Sequence, residues 1–192
     1  GNNKIIIGYF SGTATHNADF EMVAPALAKI MDENENVFVK LAGRVDAPEQ
    51  LRNYRDRLIF TPYVDYKKLP FELRKADIVL APLQNTLFNC AKSEIKWSEA
   101  SLVKTPVIAS NIGAYAEMIE DGRTGLLAKN TTEDWFDSIK KLVDDLQLRQ
   151  KIADRAYEEV RRTAMTTGVN AINLKNKIAE KIPEVIGFVG VS

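Results

Sequence analysis

Six short apolar runs, each followed by a stretch of helical periodicity, limit what this chain can fold into more than any other feature. They are Ile5-Ile6-Ile7, Val37-Phe38-Val39-Lys40-Leu41-Ala42, Leu58-Ile59-Phe60, Ile78-Val79-Leu80-Ala81, Val107-Ile108-Ala109 and Gly125-Leu126-Leu127. They are continuous rather than alternating, as strands covered on both faces are. Helical candidates lie between them, at about 18–32, 48–55, 67–75, 93–103, 114–119 and 132–144. Such alternation predicts right-handed crossovers and an α/β fold with a doubly wound parallel sheet of about six strands. Pro25 falls inside the first helical stretch, which must therefore kink or start late. Beyond residue 144 the pattern is helical and charged, through about 146–163 and 169–182, with Thr166-Thr167-Gly168 as the break.

Composition narrows the chemistry. The 192 residues carry 26 Lys+Arg and 26 Asp+Glu, so the chain lacks the basic footprint of a nucleic-acid or polybasic membrane binder. No apolar run is long enough to span a bilayer, and no charged-then-apolar leader is seen. These features imply a cytoplasmic protein. Cys90 and His16 are each the sole residue of their type, which excludes an internal disulfide and a Cys/His zinc cage. A Cys-His nucleophile pair is arithmetically open, but a free cysteine reads first as a small buried hydrophobe.

Ligands of such sheets bind beyond the carboxyl ends of the strands, which selects residues 9–16, 44–48, 83–93 and 110–114. In Gly8-Tyr9-Phe10-Ser11-Gly12-Thr13 the glycines are four apart with no third at the required spacing, so this is no dinucleotide fingerprint, and no P-loop motif occurs. The loop reads either as amides and hydroxyls that approach a phosphate, or as a plain turn with Thr15 or Asn17 as N-cap. The polar segment 83–94 enters a helix at Ser93, with Lys92 beside it: an anion site, or a capped surface helix. Lys96 and Glu99 share a face of that helix. They are either a surface pair or, with a diphosphate at the helix start, a set in which Glu99 lies roughly 9 Å along the axis, within reach of a ribose. Arg44 could fork onto phosphate oxygens or be an ordinary surface residue. Tyr63 and Tyr66 could stack on a base or simply pack, and Trp135 belongs to the core.

Taken together, the chain resembles the C-terminal, donor-binding half of a GT-B fold glycosyltransferase of the retaining group 1 class, polysaccharide-biosynthesis type. The resemblance covers roughly residues 4–164. It rests on Asp77-Ile78-Val79-Leu80-Ala81-Pro82-Leu83, Phe88-Asn89-Cys90-Ala91-Lys92-Ser93, Lys96-Trp97-Ser98-Glu99-Ala100, Thr105-Pro106-Val107-Ile108-Ala109-Ser110, Gly113-Ala114-Tyr115 and the run from Ile119 through Gly122 and Gly125 to Leu127. It implies a Rossmann-like nucleotide-sugar domain over 1–164 and a C-terminal helix and tail over 165–192. By position, Glu99 matches the family's ribose-holding glutamate, Lys92 and Ser93 the segment that meets the diphosphate, and Ser11-Gly12-Thr13 the loop near the donor phosphates. Arg44, Tyr63 and Lys96 complete the donor candidates.

The family's paired-glutamate motif places its first member eight positions before Glu99, where this chain has Ala91. Asn89 or Lys92 is the candidate to take part of that role, and the catalytic residue is otherwise unassigned. The resemblance further implies a nucleotide sugar (UDP-, GDP- or similar) as substrate, with no metal or other cofactor. A glycan acceptor would be brought by an N-terminal domain that is not in this sequence. That domain could also hold the protein peripheral to the inner face of the membrane, and the last helix would cross back to it. The alternatives are a nucleotide-sugar epimerase-like enzyme, and a non-catalytic binding module of the same ancestry.

Overall fold

The computed structural model describes residues 4–12, 17–90, 92 and 94–166. Its centre is a six-stranded, wholly parallel sheet in the order β3-β2-β1-β4-β5-β6. The strands are β1 (Ile5–Ser11), β2 (Val37–Gly43), β3 (Leu58–Thr61), β4 (Ile78–Ala81), β5 (Val107–Ser110) and β6 (Leu126–Ala128). All six apolar runs are therefore strands, in the doubly wound order that reverses between β1 and β4.

The sheet is covered on both faces because each strand sends alternate side chains to opposite sides. Ile5, Ile7 and Tyr9 of β1, with Val37, Val39 and Leu41 of β2 and Ile78 and Leu80 of β4, enter one core. There they meet α1 (Asn17–Glu21), α2 (Ala24–Glu33) and α7 (Thr132–Asp144), through Phe20, Leu27, Ile30, Trp135 and Ile139. Phe10, Ala42, Val79 and Ala81 face the other core. This one is closed by α3 (Leu69–Arg74), α5 (Ile95–Leu102) and α6 (Gly113–Met118), through Leu73, Trp97 and Tyr115. The long α8 (Leu146–Thr166) crosses between them, with Ile152 in the first core and Val160 in the second.

A buried arginine and a half-buried one finish helices whose last carbonyls lack partners. Arg149 donates to the carbonyls of Leu142 (2.6 Å) and Val143 (3.0 Å) at the end of α7. Arg57 donates to Met31 and Asn34 at the end of α2, each at 2.9 Å. At the start of α7, Thr131 accepts the Asp134 amide at 3.2 Å, the N-cap geometry.

Three expected elements differ. The stretch 18–32 is two helices, because the chain turns at Met22-Val23 and restarts with Pro25 in the first turn of α2, where a missing amide hydrogen costs nothing. The stretch 48–55 is a 3-10 helix, Glu49–Arg57, with Tyr54 outside helical geometry. Only its Leu51 is buried, so no apolar stripe holds a regular α-helix against the core. The polar segment after β4 contains one helical turn, α4 (Leu87–Cys90). The helix expected at 169–182 lies outside the described residues.

Candidate functional site

Where the strand order reverses, the carboxyl ends of the strands open onto a cleft of about 370 Å³, within the usual size for a small-ligand site. Ser11 and Gly12 from the end of β1, and Ala42 and Gly43 from β2, line it on one side. Lys96 and Glu99 of α5 face them, and Tyr63 and Tyr66 line it after β3. Both tyrosines are well exposed, so their rings are open to a planar group.

Gly43 sets the floor. Its φ of 98° is left-handed, and an added Cβ would stand 1.9 Å from the Ser11 carbonyl oxygen. Only glycine lets β1 and β2 end this close together. Among the described residues, an added Cβ at Gly12 would meet nothing within 4 Å.

On α5, Lys96 and Glu99 point into the cleft together, as their spacing predicts. The Lys96 ammonium lies 5.1 Å from the centroid of the Tyr9 ring, in cation-π range. Burial pulls the Lys96 pKa down to about 8; the Lys92 charge adds to this, while Asp19 and Glu99 oppose it. Tyr9 is stacked on Phe20 at 4.6 Å. Burial, and then the Asp19 charge, push its phenol above the ordinary range. Tyr115 is shifted the same way, by burial and then by Glu99. Both phenols therefore keep their protons at neutral pH.

The segment after β4 gathers around Asp19 of α1. Asp19 is only 4% exposed. Its Oδ1 accepts the Gln84 amide at 2.8 Å and the Asn89 side-chain amide at 3.1 Å. Its Oδ2 lies 3.7 Å from the Lys92 ammonium. Asn89 donates its second amide hydrogen to the Gln84 carbonyl at 2.9 Å. The end of β4 is tied to β5 as well: Ser110 accepts the Leu83 amide at 2.8 Å and donates to Asn130, whose side-chain amide returns to the Leu83 carbonyl at 2.7 Å.

The sequence-derived candidates divide accordingly. Ser11, Gly12, Tyr63, Lys96 and Glu99 meet at the cleft. Arg44 is exposed beyond the turn at Gly43 and does not line it. Asn89 and Lys92 stand beside the cleft, bound to Asp19. Thr13 and Ser93 lie outside the described residues, as do Thr15, His16 and Ala91. The expected cap by Ser93 is corrected: Glu94 occupies the N-cap position of α5, without a side-chain cap bond. Glu99 thus stands about one turn into the helix, roughly 6–7 Å along the axis. Cys90 is exposed, contrary to the buried reading, because α4 is a single surface turn. Among the described residues, no three His, Cys, Asp or Glu side chains cluster as metal ligands.

Asp19 is the site residue the sequence reading missed. It is an acidic position beside Phe20 in a helical stretch, a pattern that normally marks a solvated face. The available signal was its place just after the β1 loop.

Comparison with known proteins agrees with this architecture. Residues 4–145 match the family model described as glycosyl transferases group 1. D-inositol 3-phosphate glycosyltransferase of Paenarthrobacter aurescens is 31% identical over 134 residues, which is 69% of this chain and 29% of that protein. Alpha-D-kanosaminyltransferase of Streptomyces kanamyceticus is 26% identical over 106 residues, 55% of this chain and 26% of that protein. The chain thus spans less than a third of the length of these relatives. Among solved structures, Anabaena HepE in complex with UDP and glucose superposes with a TM-score of 0.69 at 20% identity, over 93% of this chain and 48% of that one. The C-terminal domain of the group 1 protein LpcC from Francisella tularensis gives 0.62 at 21% identity, over 83% and 86%. At these identities the likeness is one of fold, and it is the GT-B fold. The family model covers most of the sequence and the sheet carries its cleft at the expected switch point, so the chain belongs to the group 1 glycosyltransferases.

Proposed function

We propose that this chain is the nucleotide-sugar donor-binding half of a glycosyltransferase, and that the cleft at the β1/β4 switch point takes the donor. The observation that carries the reading is the convergence of a cation, a carboxylate, two exposed tyrosines and a strand-end loop on one cleft in a chain of this family. Glu99 accepts the paired ribose hydroxyls. The diphosphate lies toward Ser11, Gly12 and Lys96, with Lys92 beside it. As the sugar departs, these groups stabilise the charge that develops on the leaving diphosphate. Tyr63 and Tyr66 offer the base a stacking surface. The relatives, a D-inositol 3-phosphate glycosyltransferase and an alpha-D-kanosaminyltransferase, and the UDP held by the Anabaena structure fit such a donor.

The resemblance of the segment Asn89 to Glu99 to a polysaccharide-type subgroup supports a glycan acceptor, and the resemblance to the retaining group 1 class supports transfer with retention. The inositol 3-phosphate named for the relatives supports a smaller acceptor instead. A second domain would bring the acceptor, and the isolated chain would bind donor without transferring sugar. The lone histidine and the group 1 match favour transfer over epimerisation. The non-catalytic reading retains one support, Ala91 in place of a glutamate.

Thermal unfolding with UDP, GDP and ADP tests the reading. A bound nucleotide at 100 times its Kd adds about 2.7 kcal/mol of stability. No shift with any of the three sinks donor binding. Binding by a protein extended to two domains that nevertheless transfers no sugar favours the non-catalytic module.

A further inference from the structure

Asp19 is nearly inaccessible, although Ala18 and Glu21 of the same short helix are exposed. A buried carboxylate survives only when its charge and lone pairs are met. One distant stretch supplies three partners: a main-chain amide at Gln84, a side-chain amide at Asn89 and an ammonium at Lys92. Leu87 at its tip is almost fully exposed. The stretch bonds within itself, from Asn89 and Cys90 back to Thr86 and from Thr86 and Asn89 back to Gln84. The Cys90 backbone lies against Gly113, so the bonds to Asp19 are what fasten the stretch to α1. Burying an uncompensated charge is costly, and a neutral side chain could hold the Gln84 amide as well. A carboxylate is needed only if the ammonium must be held too. The Asp19 charge also opposes the cost of burying a second ammonium, that of Lys96.

We infer that Asp19 is a positioning residue: its carboxylate fastens residues 84–90 to α1 and holds the Lys92 ammonium beside the cleft. What the positioned lysine then meets rests on the proposed donor site; that Asp19 holds the segment does not. The two oxygens divide the work. Oδ1 makes the tether to Gln84 and Asn89, and Oδ2 directs Lys92. In Asp19→Asn the amide oxygen keeps the tether, whereas the amide nitrogen opposes the ammonium. In Asp19→Ala both functions go.

The experiment uses the full chain and combines amide hydrogen exchange with calorimetry against UDP, GDP and ADP. Asp19→Ala should exchange at least tenfold faster over residues 84–90, with strands β1, β2 and β5 unchanged. Asp19→Asn should keep wild-type exchange over residues 84–90 yet bind the preferred nucleotide about tenfold more weakly. Lys92→Gln should lose about as much, and the double variant little more than either single. Unchanged exchange in Asp19→Ala overturns the inference, and so do fully additive losses in the double variant. If the Asp19 variants do not fold, Asn89→Ala, which removes one tether bond and leaves the carboxylate, should speed exchange at Gln84; no change there also overturns it. A wild-type chain that binds no nucleotide sinks the donor site alone, and the exchange comparison still decides the role of Asp19.

Discussion

Lys96 holds its ammonium over the face of Tyr9, 5.1 Å from the ring centroid, and does so inside a cleft it shares with Glu99. Its pKa of about 8, lowered first by burial, has consequences for both binding and stability. In solution a lysine keeps its proton to an ordinary value of 10.5, so the unfolded chain binds this proton more tightly than the folded one. Stability therefore rises with pH between about 8 and 10.5, and the penalty for the buried charge is fully present below 8. Nucleotide affinity should run the other way and fall as pH passes 8. Lys96→Met should raise the melting temperature at pH 7, by about 2–4 °C per kcal/mol recovered. It should also weaken nucleotide binding and flatten its pH dependence between 7 and 9. Melting and calorimetry at several pH values check both halves.

Glu99 carries the ribose assignment. A hydrogen bond to a charged group is worth about 1.5–3 kcal/mol, or about ten- to hundredfold in Kd. Glu99→Ala should cost that much against the preferred ribonucleotide and much less against its 2′,3′-dideoxy analogue. Equal losses for both, or unchanged affinity, would remove the ribose role.

The sheet was legible because each strand is a continuous apolar run, and burial on two faces leaves such a run no other low-cost arrangement. Pro25 marked the restart of α2, and Trp135 belonged where an apolar position one turn inside a capped helix must go. The cleft was half legible. Lys96 and Glu99 follow from helical spacing, and Ser11 and Gly12 from the strand-end rule. Asp19 was not, because its role depends on Gln84, Asn89 and Lys92, 65 or more positions away, and no local pattern encodes that meeting. The 3-10 helix at Glu49–Arg57 was misread for a related reason: the register of polar residues does not distinguish a helix held by packing from a turn-rich edge.

The Lys40–Glu72 pair predicts an asymmetric mutational response. Lys40 is buried within β2 and pairs with Glu72 of α3, which also accepts from Lys75 at 2.6 Å. Burial pushes the Glu72 carboxyl up, but the hydrogen bonds from Lys40 and Lys75 outweigh it and hold its pKa below the usual 4.5. That contribution is present above pH 4.5 and is lost as pH falls through the lower folded value. Glu72→Leu strands the Lys40 ammonium and should cost about 3–5 kcal/mol, whereas Lys40→Met with Glu72→Leu should recover most of it. Denaturant midpoints at pH 7 measure both. A double variant no better than the single would show that packing, not charge, governs this pair.

Two glycines that line the cleft should separate fold from function. At Gly43 the left-handed φ of 98° and the Ser11 carbonyl, 1.9 Å from an added Cβ, act together. Gly43→Ala must shift the ends of β1 and β2 as well as strain its own backbone, so it should destabilise by at least about 1–3 kcal/mol and weaken nucleotide binding by moving Ser11. At Gly12 a methyl group meets nothing within 4 Å among the described residues, and Gly12→Ala should leave the unfolding free energy within about 0.5 kcal/mol of wild type. If the diphosphate approaches the end of β1, that same methyl group occupies ligand space, and the Kd should rise severalfold with stability untouched. An unchanged Kd in Gly12→Ala, together with an intact fold, moves the phosphates away from β1 and toward the Lys92 side of the cleft.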